Sequence, residues 1–93
     1  MTALLSSDAV QAQLNRLNGW NLAGDVITTV KTFDGFPDAI AFVNKLIDPA
    51  EAAGHHPDLA ISYNKVTISL TTHDAGGLTQ KDFDLATQID QLA

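Results

Sequence analysis

Histidine is the side chain best suited to giving and taking protons near neutral pH, and this chain carries only three: His55, His56 and His73. The first two are adjacent and are followed at once by Pro57, which restricts the backbone before it. The only glutamate, Glu51, stands four residues ahead of the pair. Neighbouring imidazoles, stiffened by a proline and preceded by a carboxylate, suit proton transfer better than packing. Zinc is the competing reading, because imidazole is a common ligand. Two sequence-adjacent histidines rarely point at one metal, however, and no cysteine completes a familiar ligand spacing.

The rest of the composition narrows the function classes. Ninety-three residues fit one domain, residues 1–93, able to bury about 60–65% of the surface its unfolded chain exposes. An apolar fraction of 45% is ordinary for a soluble globular protein. The formal charge is −6, and the five basic residues, Arg16, Lys31, Lys45, Lys65 and Lys81, are scattered singly. That argues against nucleic-acid binding, which needs Lys and Arg to neutralise phosphate. Without cysteine there is no disulfide or thiolate chemistry, so stability rests on the core or on oligomerisation. The stretch from Met1 to Asp8 has no basic n-region, and no apolar run approaches the ~20 residues of a membrane span. A cytoplasmic protein without membrane contact is the expectation.

Periodicity supplies the elements that must position the histidines. Asp8 with Gln11 resembles a capping box, and Val10, Leu14 and Leu17 recur at helical spacing up to a stop near Asn18-Gly19. Trp20 to Ala23 and Val26 to Phe33 read as strands around Gly24-Asp25. After Asp34-Gly35, Pro37 suits the first turn of a helix, and Phe36, Ile40, Val43, Ile47 and Ala50 form its apolar stripe. Pro49 removes a backbone donor, so the spacing predicts a kink near Lys45 to Asp48 or a separate turn from Pro49 to Ala53, with Gly54 ending the element. Leu59 to Tyr63 and Val66 to Thr72 alternate around Asn64-Lys65, the expected two-residue hairpin loop. Gly76-Gly77 is a joint. Thr79 with Asp82 then caps a last helix whose Leu85, Ala86, Ile89 and Leu92 face inward. The order α-β-β-α-β-β-α implies an α+β fold, a four-stranded antiparallel sheet with three helices on one face.

With the loop at Asn64-Lys65, Tyr63 faces Val66, Ile61 faces Ile68 and Leu59 faces Leu70. Continuing the ladder sets His56 opposite His73, where Cβ atoms lie roughly 4.5–5.5 Å apart. Val66, Ile68 and Leu70 take the core face, leaving Thr67, Ser69, Thr71 and His73 on a polar face where a groove could hold a polar ligand. Tyr63 and Trp20 read most simply as core or interface aromatics, and Asp74 as a turn residue beside the site.

The stretches Glu51-Ala-Ala-Gly-His-His-Pro57, Tyr63-Asn-Lys-Val66, Thr71-Thr-His-Asp74 and Gly77-Leu-Thr-Gln-Lys-Asp82 resemble the pterin-4a-carbinolamine dehydratase family. That family's pattern is an acidic residue, three positions, His-His-Pro, five positions, an aromatic, nine positions, His and a later Asp. Glu51, His55, His56, Pro57, Tyr63, His73 and Asp82 meet every term, and Gly19-Trp20 extends the likeness over nearly the whole chain. Two positions depart from the pattern. Leu59 replaces a usual Trp, which weakens a packing wall. Gly54 replaces a usual Asp or Asn, with the expected loss of a polar contact to substrate.

The resemblance implies dehydration of a 4a-hydroxytetrahydropterin to the quinonoid dihydropterin, recycling the cofactor of aromatic amino-acid hydroxylases. No metal or redox cofactor is implied. An acid must protonate the departing C4a hydroxyl and a base must take the N5 proton, each step worth typically 10²–10⁴-fold. His55 and His73 are the expected acid–base pair, with His56 as the third catalytic histidine, orienting the pterin. Gly54, Thr71, Thr72 and Asp74 are expected to border the substrate with them, and Glu51, Pro57 and Asp82 to support. A homodimer or homotetramer is implied. Relatives of the family also serve as transcriptional cofactors or assembly factors, so a non-catalytic protein-binding module is the alternative.

Overall fold

Ser6, not Asp8, starts the first helix. In the computed structural model, which describes residues 3–93, Ser6 is extended and its Oγ accepts the Ala9 N–H at 3.2 Å. Asp8 lies inside the first turn of α1 (Ser7–Leu14), where its charge favours the positive helix end. Met1 and Thr2, part of the stretch read above for a leader, lie outside the described residues. The helix ends earlier than Asn18-Gly19. Arg16 and Leu17 bond back only three residues, to Gln13 and Leu14, so the chain tightens and leaves the helical path after Leu14. Gly19, at φ 81, marks the turn into the sheet instead.

The strands are β1 (Asn21–Ala23), β2 (Val26–Thr32), β3 (Asp58–Ser62) and β4 (Lys65–Leu70), antiparallel in the order β1-β2-β4-β3. Trp20 and Phe33 fall just outside their expected strands, and β4 stops at Leu70 rather than Thr72. Ile27, Thr29, Val66, Ile68 and Leu70 are buried on the face that carries the helices. Thr28 and Ser69, hydrogen-bonded at 3.2 Å, lie on the opposite face. The α+β class and its element order are as expected.

The middle helix is divided. Pro49 has no N–H to offer to the carbonyl four residues back, so the helix breaks at Leu46 into α2 (Phe36–Lys45) and α3 (Ile47–Ala53). Pro49 then sits within the first turn of α3, where N–H groups have no helical partner anyway. The apolar stripe is shifted from its expected phase: Ala39, Phe42, Leu46 and Ala50 are buried, while Phe36 and Ile47 are half exposed. Phe33 closes the core against Phe42, with ring centroids 5.0 Å apart. From α4 (Gln80–Leu92), Phe83, Leu85, Ala86 and Ile89 are buried and Leu92 packs partly against them. No helix among the described residues is long and apolar enough to cross a membrane.

The β3–β4 loop is Tyr63-Asn64, not Asn64-Lys65. Leu59 pairs with Ile68 and Ile61 with Val66, two positions earlier on β4 than expected. The positive φ is carried by Tyr63, at 51°. Asn64 is committed elsewhere: its Nδ2 donates to the Phe33 carbonyl at 2.9 Å, and the Phe33 N–H donates to its carbonyl at 2.8 Å. That tether to the end of β2 sets the register. Replacing Asn64 by Ala removes the side-chain half of it and is expected to lower unfolding free energy by about 1 kcal/mol, measured by urea denaturation.

Candidate active site

His55 is aimed by the way α3 ends. Gly54 is left-handed (φ 60, ψ 32), and two reverse bonds close the helix: Gly54 N–H to the Glu51 carbonyl at 3.2 Å and His55 N–H to the Ala50 carbonyl at 3.1 Å. The chain therefore leaves α3 at a fixed angle, with Pro57 stiffening the next step into β3. Nothing lies within 4 Å of where a Gly54 Cβ would stand, so the demand for glycine is purely conformational. Asp and Asn, the family's usual residues there, are the side chains that best tolerate this backbone region. The departure at Gly54 is thus conservative in shape.

The His55 side chain, 11% exposed, reaches the start of α4, where its Nε2 lies 2.6 Å from Asp82 Oδ1. Asp82 is fully buried. It forms the expected capping box with Thr79, its Oδ2 accepting the Thr79 N–H at 2.9 Å. The same oxygen accepts the Thr72 hydroxyl at 2.8 Å. The capping role read from sequence is therefore half of what Asp82 does; the other half holds His55.

His56 points elsewhere. Its Nε2 lies 2.5 Å from Glu51 Oε2, and both side chains are about two-thirds exposed. Glu51 thus partners His56, in an exposed pair that contributes little to stability. His73 is not opposite His56: the ladder ends at Asp58 and Ser69, and its register, two positions off the expected one, would set His56 against Thr71 if continued. After Leu70 the chain bends through Thr71 and Thr72, and His73–Ala75 form a 3₁₀ turn. Two backbone bonds between Thr72 and Gly77 pin the base of that turn. His73 is exposed, and among the described residues no side chain hydrogen-bonds its ring.

Gly54, His55, His56, Thr71, Thr72, His73 and Asp74 nevertheless line one groove of about 240 Å³. The structure brings all three imidazoles to it by a route different from the extrapolated ladder. Thr71 faces it with its hydroxyl donated to the Asp25 carbonyl at 2.6 Å. The eighth lining residue, Lys81, was missed by sequence reasoning. Its signal was present: a cation in the first turn of a helix sits against the helix dipole, and such local misfits concentrate at functional sites. Pro57 lies instead in an adjoining apolar notch of about 300 Å³, with Val43, Leu46, Ile47, Ala50, Glu51 and Leu59, and His56 lines both notch and groove. Leu59, 39% exposed, leaves that notch open. Among the described residues no three His, Asp or Glu side chains are grouped as metal ligands.

The groove offers proton donors and acceptors around a polar cavity on an α+β scaffold, the equipment of an acid–base site. Comparison with known proteins specifies the class. The family model for pterin 4 alpha carbinolamine dehydratase matches residues 3–92. A Nostoc protein is 60% identical over 92 residues, covering 99% of each chain, and a Cyanothece protein is 62% identical over 93 residues, covering all of this chain and 96% of its own. Both bear the name pterin-4-alpha-carbinolamine dehydratase provisionally. A crystal structure from Brucella melitensis, described as a transcriptional coactivator/pterin dehydratase, superposes with a TM-score of 0.92 at 30% identity, covering 96% of this chain and 97% of that one. A pterin dehydratase-like RuBisCO assembly factor of the alpha-carboxysome shares the fold, with a TM-score of 0.69 at 23% identity over 82% of this chain. The chain belongs to the pterin-4-alpha-carbinolamine dehydratase family, a family of dehydratase enzymes.

Gly54 gives a clean check on how the histidine pair is aimed. Gly54→Ala is expected to cost roughly 1–2 kcal/mol through left-handed strain, and Gly54→Asn clearly less, in paired denaturation curves.

Proposed function

We propose that this protein, acting as one domain over residues 1–93, dehydrates a 4a-hydroxytetrahydropterin to the quinonoid dihydropterin and so returns oxidised pterin to a cofactor-recycling route. The observation that carries the reading is the convergence of three imidazoles on one polar groove in a chain of this family. The chemistry balances without any redox step. An imidazolium gives its proton to the C4a hydroxyl, the C4a–O bond breaks, and water leaves. A neutral imidazole takes the N5 proton, and the nitrogen electron pair closes the C4a=N5 double bond.

His55 and His73 are the proposed acid–base pair, brought to one groove by the α3 terminus and the 3₁₀ turn. His56, held by Glu51, orients the bicyclic ring, with Thr71, Asp74 and Lys81 available to its polar edge. Protonated acids and neutral bases of this kind each contribute typically 10²–10⁴-fold. His73→Ala removes an exposed side chain, so the fold is expected to survive while turnover of freshly generated 4a-hydroxytetrahydropterin falls about a hundredfold. His55→Ala is the less clean variant, because it also strips buried Asp82 of a partner. If the wild-type protein fails to accelerate the dehydration at all, the alternative of a protein-binding module moves ahead. The Brucella neighbour's double description keeps that alternative in view, but a binding surface has no need of three histidines around a groove.

The proposal includes a cytoplasmic location and a homodimer or homotetramer. β3 is an edge strand whose five residues are all exposed. Leu59 and Ile61 on it, with Phe36, Ile47 and Tyr63 nearby in the exposed apolar set, leave side chains uncovered that one copy cannot bury. An unpaired strand edge is a template for a second chain. Sedimentation of the wild type is expected to give at least a dimer, and Ile61→Lys is expected to shift it toward monomer.

A further inference from the structure

The hydrogen bonds beneath the groove determine which nitrogen of His55 handles the proton. Asp82 and Thr79 are fully buried and Thr72 is 8% exposed, so protein groups rather than solvent must satisfy their polar atoms. Each hydroxyl has one proton to give, and a carboxylate has none. Asp82 Oδ2 receives the Thr79 backbone N–H at 2.9 Å, a donor that cannot turn away. It also receives the Thr72 hydroxyl proton at 2.8 Å. Thr72 Oγ1 and Thr79 Oγ1 lie 2.8 Å apart, and the Thr72 proton is already committed, so Thr79 must donate to Thr72. Thr79 Oγ1 in turn accepts the Asp82 N–H of the capping box. Both hydroxyl protons are thereby assigned, and they run from Thr79 through Thr72 to the Asp82 carboxylate.

Oδ1 of that carboxylate faces His55 Nε2 at 2.6 Å. With Asp82 in its ionised form, two bare acceptors at that distance would repel, so the ring presents Nε2–H. A neutral imidazole carries one N–H only, which leaves Nδ1 with its lone pair. We infer that Thr72 and Thr79 are positioning residues that, through Asp82, lock His55 as the Nε2–H tautomer and make Nδ1 its proton-handling atom. Thr72 therefore lines the groove without offering its hydroxyl to substrate, in contrast to the contact expected from sequence. The catalytic consequence rests on the dehydratase reading above; the tautomer does not.

The same network makes an unusual demand of Asp82→Asn. The two donors at Thr72 and Thr79 hold the amide oxygen, so the NH₂ is turned toward His55 and can only donate. The ring is then forced into the opposite tautomer, Nδ1–H. The experiment is ¹⁵N NMR of the imidazoles in the full chain, at a pH where His55 is neutral, alongside dehydratase kinetics. The wild type is expected to show a pyrrole-type Nε2 and a pyridine-type Nδ1 for His55, and Asp82→Asn the reverse, with kcat lowered about a hundredfold or more. Thr72→Val is expected to give a mixed tautomer and a roughly tenfold lower kcat, the size of one lost hydrogen bond, with KM little changed. Thr72→Ser, which keeps the hydroxyl, is expected to recover the Nε2–H form and most of the lost turnover.

An Nδ1–H ring in the wild type overturns the assignment, as does a Thr72→Val protein with wild-type tautomer and a raised KM alone. Should Asp82→Asn not fold, the Thr72→Val and Thr72→Ser pair decides by the same spectra. Expected tautomers in a protein without dehydratase activity would sink the functional reading and leave the positioning network standing.

Discussion

A carboxylate without solvent is expensive unless both its oxygens are hydrogen-bonded, and Asp82 meets that condition only when the end of α3 and the exit of β4 are brought to the first turn of its own helix. His55 comes from the end of α3, Thr72 from the exit of β4, and Thr79 from the start of α4. None of the three can be removed without leaving a buried polar group short of a partner, which costs more than the bond itself contributes. The α3 terminus, the bend carrying His73 and the first turn of α4 are thus drawn to one point. Those same segments supply the groove's walls. Fold and site share a constraint, so the groove forms with the domain rather than being added to its surface.

Much of the scaffold was legible because it depends on local chemistry. The Thr79–Asp82 box, the glycine after α3 and the helix break forced by Pro49 each follow from a residue acting on its immediate neighbours. The faces of β4 were legible too, since alternation at period two survives a slip of two positions: Val66, Ile68 and Leu70 face the core in either register. What alternation does not encode is which residues close the hairpin. That is decided by Asn64 reaching across to Phe33, a tertiary contact over 31 positions of sequence, and it places the left-handed residue at Tyr63. The phase of α2 failed for a similar reason. Phe36 and Ile47 are as apolar as any core residue, but the phase of α2 is fixed by what it meets in the core, where Phe42 packs on Phe33 and Ala39 and Leu46 are buried beside it.

The histidines illustrate both sides. Their convergence was legible from the motif and its spacing, whereas the geometry that produces it was not. A straight ladder in the expected register would have set His56 against His73; the observed register, two positions away, would not. The actual ladder stops at Asp58, and a 3₁₀ turn presents His73 instead. Partnership was not legible either: spacing along the helix put Glu51 within reach of the histidine pair without saying which ring it holds, and the left-handed step at Gly54 sends His55 inward to Asp82 and leaves His56 for Glu51. Lys81 escaped notice because an exposed lysine in a first turn usually means a solvated face.

The three imidazoles end in different surroundings, and the proposed reaction gives those differences a use. Dehydration consumes a proton at the hydroxyl and releases one from N5, so each turnover leaves the acid without its proton and the base with one too many. Water must restore both before the next substrate binds. A side chain as exposed as His73 exchanges protons with solvent directly. His55, 11% exposed and anchored through Nε2, does so only through the groove face of its ring. An anchored group keeps its geometry through the bond-breaking step, when alignment with the departing oxygen or with N5 matters most. An open group resets quickly. Placing one of each on the same groove meets both demands, which two buried or two exposed histidines would not.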